Sequence, residues 1–80
     1  MIVKQKNTFT GTIETIDDKS AIVDIEDGEI LRSGRKVSVD LSVAGNTIFE
    51  IGNKIKVVYD GPVQEIYPLR INTTFVELID

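Results

Sequence analysis

Residues 8–26 read TFTGTIETIDDKSAIVDIE, and the alternation within them is the strongest indication of the fold. Apolar and polar side chains alternate through residues 8–16 and again through residues 21–26, which is the period of two that a β-strand imposes. The polar string DDKS between the two runs has the composition of a turn. Gly11 inside the first run predicts a bend or a close approach of another backbone. The stretch therefore predicts a β-hairpin whose first strand can curve.

Three more extended runs follow the hairpin. Residues 36–43 and residues 54–60 alternate cleanly, and the string DGP at residues 60–62 predicts the end of the second of these runs. The last run, residues 63–79, is interrupted by Pro68, which cannot donate a hydrogen bond to a strand ladder. Beyond this proline the alternation predicts that one face carries Leu69, Ile71, Thr73 and Phe75. No segment shows a sustained helical period, so the sequence predicts five strands.

The composition supports an all-β domain. The chain has 12 isoleucines and 9 valines but only 4 leucines, and side chains branched at Cβ pack well on a pleated sheet. Its 80 residues allow one domain, residues 1–80, whose core must hold without disulfides because there is no cysteine. Long, bendable first and last strands predict a small five-stranded OB-like barrel. An SH3-like barrel and a small β-sandwich are the alternatives.

The residue types present exclude most catalytic chemistry. With no histidine and no cysteine, the common nucleophile–base pairs and the usual zinc ligands are absent from the sequence. The acidic residues around the turn at residues 24–29 do not match the spacing of an EF-hand loop and are expected to be solvated. The sequence predicts a protein that is not an enzyme and that has no cofactor.

Nucleic-acid binding is the alternative function, because OB folds often bind single strands. The net charge of −4 disfavours a polyanion partner. The two loops that would frame a ligand in an OB fold, residues 17–20 and residues 60–64, both carry aspartate and are expected to repel phosphate. A small basic cluster at residues 32–36 is expected to be solvated. Nucleic acid is therefore the less favoured partner.

One constellation stands out as a candidate binding rim, and it comprises Tyr59, Asp60, Glu65, Tyr67 and Pro68. A carboxylate and a phenol beside a rigid proline could contact a ligand. The same residues also allow an architectural interpretation, in which Glu65 accepts hydrogen bonds from the backbone of the turn at residues 60–61 and Tyr67 packs with a wet hydroxyl. The sequence leaves both interpretations open.

Two strings in the second half, FEIGNKIKVVYDG at residues 49–61 and EIYPLRI at residues 65–71, carry a resemblance. Together with FTGTIE at residues 9–14, they resemble the YobA-like family of Bacillus and related Gram-positive bacteria. That family's pattern is phenylalanine, two residues, glycine, an alternating basic and apolar strand, Tyr-Asp-Gly and then Glu-Ser-Tyr-Pro. Ile66 stands where the family usually has serine, so a role that needs a hydroxyl there does not carry over. The resemblance implies a small β-rich fold and no particular activity.

These observations lead to a functional hypothesis. The chain is expected to be a monomeric, non-enzymatic binding or accessory module whose partner is a protein or a cell-envelope component. The resemblance implies an extracytoplasmic or membrane-anchored setting, whereas a native start at Met1 implies a cytoplasmic one. Residues 1–7 lack the apolar stretch of a signal peptide, and no apolar run approaches the roughly 20 residues that span a bilayer.

Overall fold

All five predicted strands are present in the computed structural model, which describes residues 7–79. The strands are β1 (Asn7–Asp17), β2 (Ser20–Asp27), β3 (Lys36–Asp40), β4 (Lys54–Gln64) and β5 (Leu69–Leu78). Two short 3₁₀ helices, Glu29–Arg32 and Leu41–Ala44, follow β2 and β3. Residues 1–6, on which the prediction about a signal peptide largely depends, lie outside the described part of the chain.

The strands close into a barrel with the order β1-β2-β3-β5-β4. Strand β1 pairs with both β2 and β4, and all neighbours are antiparallel except β3 and β5. That parallel pairing is short, since only Val37 with Leu69 and Ser38 with Arg70 are in register. The predicted five-stranded OB-like barrel is confirmed. Among residues 7–79, no helix is long and apolar enough to cross a membrane.

Gly11 curves β1 as predicted and lets β2 approach closely. The pairing of β1 with β2 shifts register between Thr10 and Gly11, which marks a bulge. A Cβ atom at Gly11 would lie 2.6 Å from both the Asp24 carbonyl oxygen and the Val23 Cγ1 atom. The barrel wall at this point therefore has room only for glycine. The core that it encloses is lined by fully buried side chains, among them Ile13, Ile25, Ile55 and Val57.

Strand β3 is shorter than predicted, because it ends at Asp40 instead of continuing to Val43. The Asp40 side chain accepts a hydrogen bond from the Ser42 amide at 2.9 Å and so caps the 3₁₀ helix that follows. Leu41 remains buried, but Val43 is 39% exposed. A local side-chain to backbone bond therefore overrides the alternating pattern.

Strand β4 is longer than predicted, because the string DGP does not end it. Asp60 pairs with Asn72 and Gln64 pairs with Arg70, so residues 61–63 of β4 lie opposite the single residue Ile71. Gly61 has a φ of 74°, which suits the bulge, and a proline in the unpaired stretch needs no ladder donor. The chain therefore bends here without leaving the sheet.

Strand β5 changes its inward face part-way along. The register against β4 shifts by one residue between the pairs Val58–Phe75 and Tyr59–Thr73, which leaves Thr74 as an extra residue. Thr73 and Val76 are consequently both buried, while Phe75 is 47% exposed. The prediction that Phe75 shares one face with Leu69 and Thr73 is wrong, because a one-residue shift reverses the alternation beyond Thr73.

Candidate binding groove

Two surface cavities meet above the pairing of β3 with β5. One, of about 450 Å³, lies between the bulged end of β4, including Asp60 and Gln64, and residues 70–72 of β5. The other, of about 430 Å³, lies between the β1–β2 turn at residues 17–20, the outer side of β3, and the same strand β5. Arg70 and Ile71 line both cavities. The cavities therefore adjoin at these two residues, and the pair is called the groove below.

The β1–β2 turn that borders the groove is held by a backbone hydrogen bond. The Lys19 carbonyl accepts a hydrogen bond of 2.7 Å from the Leu41 amide, which ties the β1–β2 turn to the segment after β3. Asp18 in this turn has a φ of 58°, a conformation that aspartate tolerates better than most residues. At the floor of the groove, the parallel register places Arg70 beside Ser38. The predicted framing loops therefore do border a depression in the surface.

The charged groups of the groove are predominantly acidic. Its carboxylates belong to four aspartates, and its cations are Lys19 and Arg70; the aspartates are Asp17, Asp18, Asp40 and Asp60. The three salt bridges within residues 7–79 lie elsewhere, so no ion pair joins Lys19 or Arg70 to these aspartates. The groove therefore offers a negative surface with one guanidinium group in its middle.

Asp40 is the groove carboxylate with the clearest electrostatic perturbation. Hydrogen bonds from the Ser42 hydroxyl at 2.6 Å and from the Ser42 amide at 2.9 Å stabilise its ionised form. These bonds lower the pKa of Asp40 below its ordinary value of 3.8. Asp40 is therefore a fixed negative charge at neutral pH, and it also anchors the 3₁₀ helix.

This arrangement predicts a pH dependence of stability. Because the folded-state pKa of Asp40 is depressed, its stabilising contribution is complete above 3.8 and is lost as the pH falls through the lower folded-state value. Asp40→Ala should lower the free energy of unfolding at pH 7 by roughly 0.5–1 kcal/mol, a small value because solvent screens the site. Urea unfolding at pH 7 and at pH 2.5 provides the measurement. A deficit of equal size at both pH values would contradict the assignment.

The outer face of β1, β2 and β3 is occupied by its own charge network. Lys36 bridges Glu14 on β1 and Asp24 on β2, and the hydrogen bond that its ammonium donates to the Glu14 carboxylate raises the pKa of Lys36. Beside it, Glu26 accepts a hydrogen bond of 3.0 Å from the Thr12 hydroxyl and lies 3.9 Å from the Lys54 ammonium. The lysines of this face are therefore next to carboxylates, which leaves little free positive charge for a phosphate backbone.

The five residues of the predicted binding rim do not lie together. Asp60 lines the groove. Tyr59 is only 5% exposed, with its ring centroid 5.9 Å from that of Phe9, so the prediction that Tyr59 lies on a rim is wrong. Alternation along β4 points its ring into the barrel, where burial raises its pKa above 10.0. Tyr59 is a core residue.

The other three members of the rim lie beside the start of β3. Glu65 accepts a hydrogen bond of 3.0 Å from the Ser33 hydroxyl, so its predicted bonds to the backbone at residues 60–61 are not made; the Gly61 amide donates to Asp60 instead. Tyr67 is 80% exposed, and Pro68 is half-buried just before β5 begins. Residues 65–68 therefore form a separate exposed corner outside the groove.

The sequence predicted the loops that border the groove, but it did not predict Arg70 and Ser38 at its centre. Arg70 has no distinctive neighbours in the sequence, and Ser38 appears only as one polar residue of an alternating strand. Their juxtaposition depends on the parallel pairing of β3 with β5, which joins segments that are distant in the chain. The available signal was the alternation of the strand, which places Arg70 on the opposite face from Leu69.

Comparison with solved structures supports the fold independently. A crystal structure from Bacillus subtilis matches with a TM-score of 0.67, covering 99% of this chain and 100% of that chain at 21% identity. The fold is that of YobA. An NMR structure of YobA from the same organism matches with a TM-score of 0.66 at 22% identity, covering 92% of this chain and 82% of the other. The resemblance to YobA seen in the sequence is thus confirmed at the level of the fold. No protein-family model and no curated protein sequence matches the chain.

Proposed function

We propose that the protein is a non-enzymatic binding module whose groove takes an extended, positively charged segment of a partner protein. The observation that carries the proposal is the junction of two cavities at Arg70 and Ile71. Each cavity has the size of a small-ligand site, and two adjoining cavities suit a chain that crosses both more than they suit a compact molecule. The position of the groove, between the framing loops of an OB fold, supports the same conclusion.

The charge of the groove supports a basic partner. Four aspartates and two cations give the lining an excess of negative charge. This excess has the same sign as the net charge of the whole chain, which is −4. Complementary charges steer association and suppress partners of the wrong sign. Arg70 adds orientation, because its guanidinium can donate hydrogen bonds to a carboxylate or a backbone carbonyl of the bound segment. A single-stranded nucleic acid is disfavoured for the same reason, since its phosphates would face these carboxylates.

The groups within the groove favour binding over catalysis. Its hydroxyls, Ser20 and Ser38, lie 3.3 Å apart and share a hydrogen bond with each other. A serine nucleophile needs an adjacent general base, and the chain has no histidine to supply the commonest one. Polar groups of this kind are well suited to hydrogen bonds with the backbone of a bound peptide.

Titration of fluorescein-labelled probes tests the proposal. The probes are a peptide of alternating lysine and alanine, the same peptide with glutamate for lysine, and oligothymidylate. We expect the lysine peptide to bind most tightly, with an affinity that falls as salt is added, because the attraction is electrostatic. The double variant Asp18→Asn/Asp60→Ser, which removes a charge from each side of the groove without creating an Asn-Gly unit, should weaken binding on the order of tenfold.

Glu77→Gln is the matched control for this experiment. It removes one carboxylate from an exposed position on β5 that does not line either cavity. Its affinity for the lysine peptide should stay close to that of the parent protein. Tighter binding of oligothymidylate than of the lysine peptide would contradict the proposal. So would an equal loss of affinity in the control variant and in the single variant Asp60→Ser.

A further inference from the structure

Two peptide units of this chain have the residue types that allow an aspartate to rearrange without an enzyme. Of all its aspartates and asparagines, only Asp27 and Asp60 precede a glycine. The amide nitrogen that follows an aspartate can attack the side-chain carboxyl carbon, and the side chain of the following residue normally obstructs that approach. Glycine removes the obstruction because it has no Cβ atom. Whether the reaction proceeds in a folded protein then depends on the local geometry of each unit.

At Asp60 the reacting groups are already in contact. The Gly61 amide donates a hydrogen bond of 2.9 Å to Asp60 Oδ1, which places the nitrogen beside the carboxyl group it would attack. Asp60 pairs with Asn72, but the pairing of β4 with β5 then skips residues 61–63, so the β5 ladder does not hold the Gly61 side of this peptide unit. A Cβ atom built on Gly61 would meet nothing within 4 Å, and both residues are exposed. The Asp60–Gly61 peptide unit therefore has the space to rotate into the conformation in which the five-membered ring can close.

Asp27 provides an internal comparison, because the same dipeptide is confined there. A Cβ atom on Gly28 would lie 2.7 Å from the Phe9 Cβ atom and 3.0 Å from the Thr8 carbonyl oxygen, so the glycine is packed against β1. Rotation about this peptide unit would require β1 and β2 to separate.

We propose that Asp60 is a site of spontaneous isoaspartate formation and that Asp27 is protected from it by the fold. The Gly61 nitrogen forms a bond to the Asp60 side-chain carbonyl carbon while the carboxyl C–O bond breaks, and one water molecule leaves with the amide proton. The product is a five-membered succinimide. Addition of one water molecule to its main-chain carbonyl opens the ring, so that the main chain then runs through the side-chain carbon. No oxidant, reductant or cofactor is consumed.

The modification alters the groove, because Asp60 lines it. Isoaspartate inserts one methylene into the main chain of the bulge and moves the free carboxylate to the α-carbon. The carboxylate on one side of the groove thus changes position while the charge of the chain stays the same. The inference depends only on the geometry at Asp60, so it stands or falls separately from the proposed ligand.

Ageing of the intact protein tests the inference. Trypsin separates the two units, since cleavage after Lys19 and Arg32 yields residues 20–32, and cleavage after Lys56 and Arg70 yields residues 57–70. After incubation at 37 °C and neutral pH, isoaspartate in each peptide is measured by mass spectrometry with electron-transfer fragmentation. Methyl transfer by an isoaspartyl methyltransferase provides a second readout. We expect accumulation at Asp60 at least about tenfold faster than at Asp27.

A parallel incubation in denaturing urea isolates the contribution of the fold. The two dipeptides are identical, so their rates should converge when the chain is unfolded. The variant Asp60→Glu should abolish the signal in residues 57–70, whereas Asp27→Glu should leave it unchanged. Equal rates at the two aspartates in the folded protein, faster reaction at Asp27, or no isoaspartate at Asp60 would each overturn the inference.

Discussion

Replacing Gly11 with alanine is expected to lower the free energy of unfolding by about 3 kcal/mol. The added Cβ atom would lie 2.6 Å from the Asp24 carbonyl oxygen, which is a backbone atom of the paired strand and cannot rotate away. Strands β1 and β2 must therefore move apart at the bulge that curves the barrel wall. For a domain of 80 residues this is a large fraction of the total stability. Urea unfolding followed by circular dichroism provides the measurement.

Gly34→Ala is the matched control for this prediction. The three atoms nearest to a Cβ atom at Gly34 would all belong to the Leu69 side chain, at 3.3–3.4 Å. A leucine side chain can move by the few tenths of an ångström that this contact requires. Its cost should stay below about 1 kcal/mol. If Gly11→Ala proved as stable as Gly34→Ala, the close approach of β2 to Gly11 would be disproved.

Replacing Tyr59 with alanine should be at least as damaging, with an expected loss of about 3–4 kcal/mol. Its ring is 5% exposed and packs against Phe9, so truncation leaves a cavity in the barrel. Tyr59→Phe keeps the ring and should cost far less. Thermal and urea unfolding of both variants distinguishes loss of packing from loss of the hydroxyl.

Tyr67→Ala provides the contrast, because both tyrosines belong to the rim predicted from the sequence. The Tyr67 ring is 80% exposed, so its removal should change the free energy of unfolding by less than about 0.5 kcal/mol. If Tyr59→Ala were as mild as Tyr67→Ala, the assignment of Tyr59 to the core would fail.

The fold was largely predictable because each strand shows the alternation of apolar and polar residues within its own segment. Alternation of apolar and polar side chains gave the five strands, and Gly11 indicated the curved one. The errors arose where a single local event reverses the pattern. The cap formed by Asp40 ends β3 early, and one extra residue at Thr74 turns Phe75 to the solvent. Neither a cap nor a bulge changes the average composition of a segment, so alternation alone does not reveal them.

The groove was predictable only in part. The aspartates of its two loops stand out in the sequence, and their acidity already disfavoured phosphate. The predicted rim failed as a unit because it grouped residues by proximity in the chain. Tyr59 and Asp60 are adjacent, yet they point to opposite sides of β4, one into the core and one into the groove. Arg70 became a candidate only when the parallel strands placed it next to Ser38.

The short pairing of β3 with β5 affects the order in which the barrel can assemble. The β1–β2 and β4–β5 hairpins join chain neighbours, whereas β3 and β5 meet only after a long intervening segment has been closed. That closure costs loop entropy, and two residue pairs return few hydrogen bonds for it. The pairing of β3 with β5, which forms the floor of the groove, therefore returns little free energy to offset the entropy that its own formation costs. A ligand lying across that floor adds its binding free energy to the closed form, and so stabilises the pairing of β3 with β5.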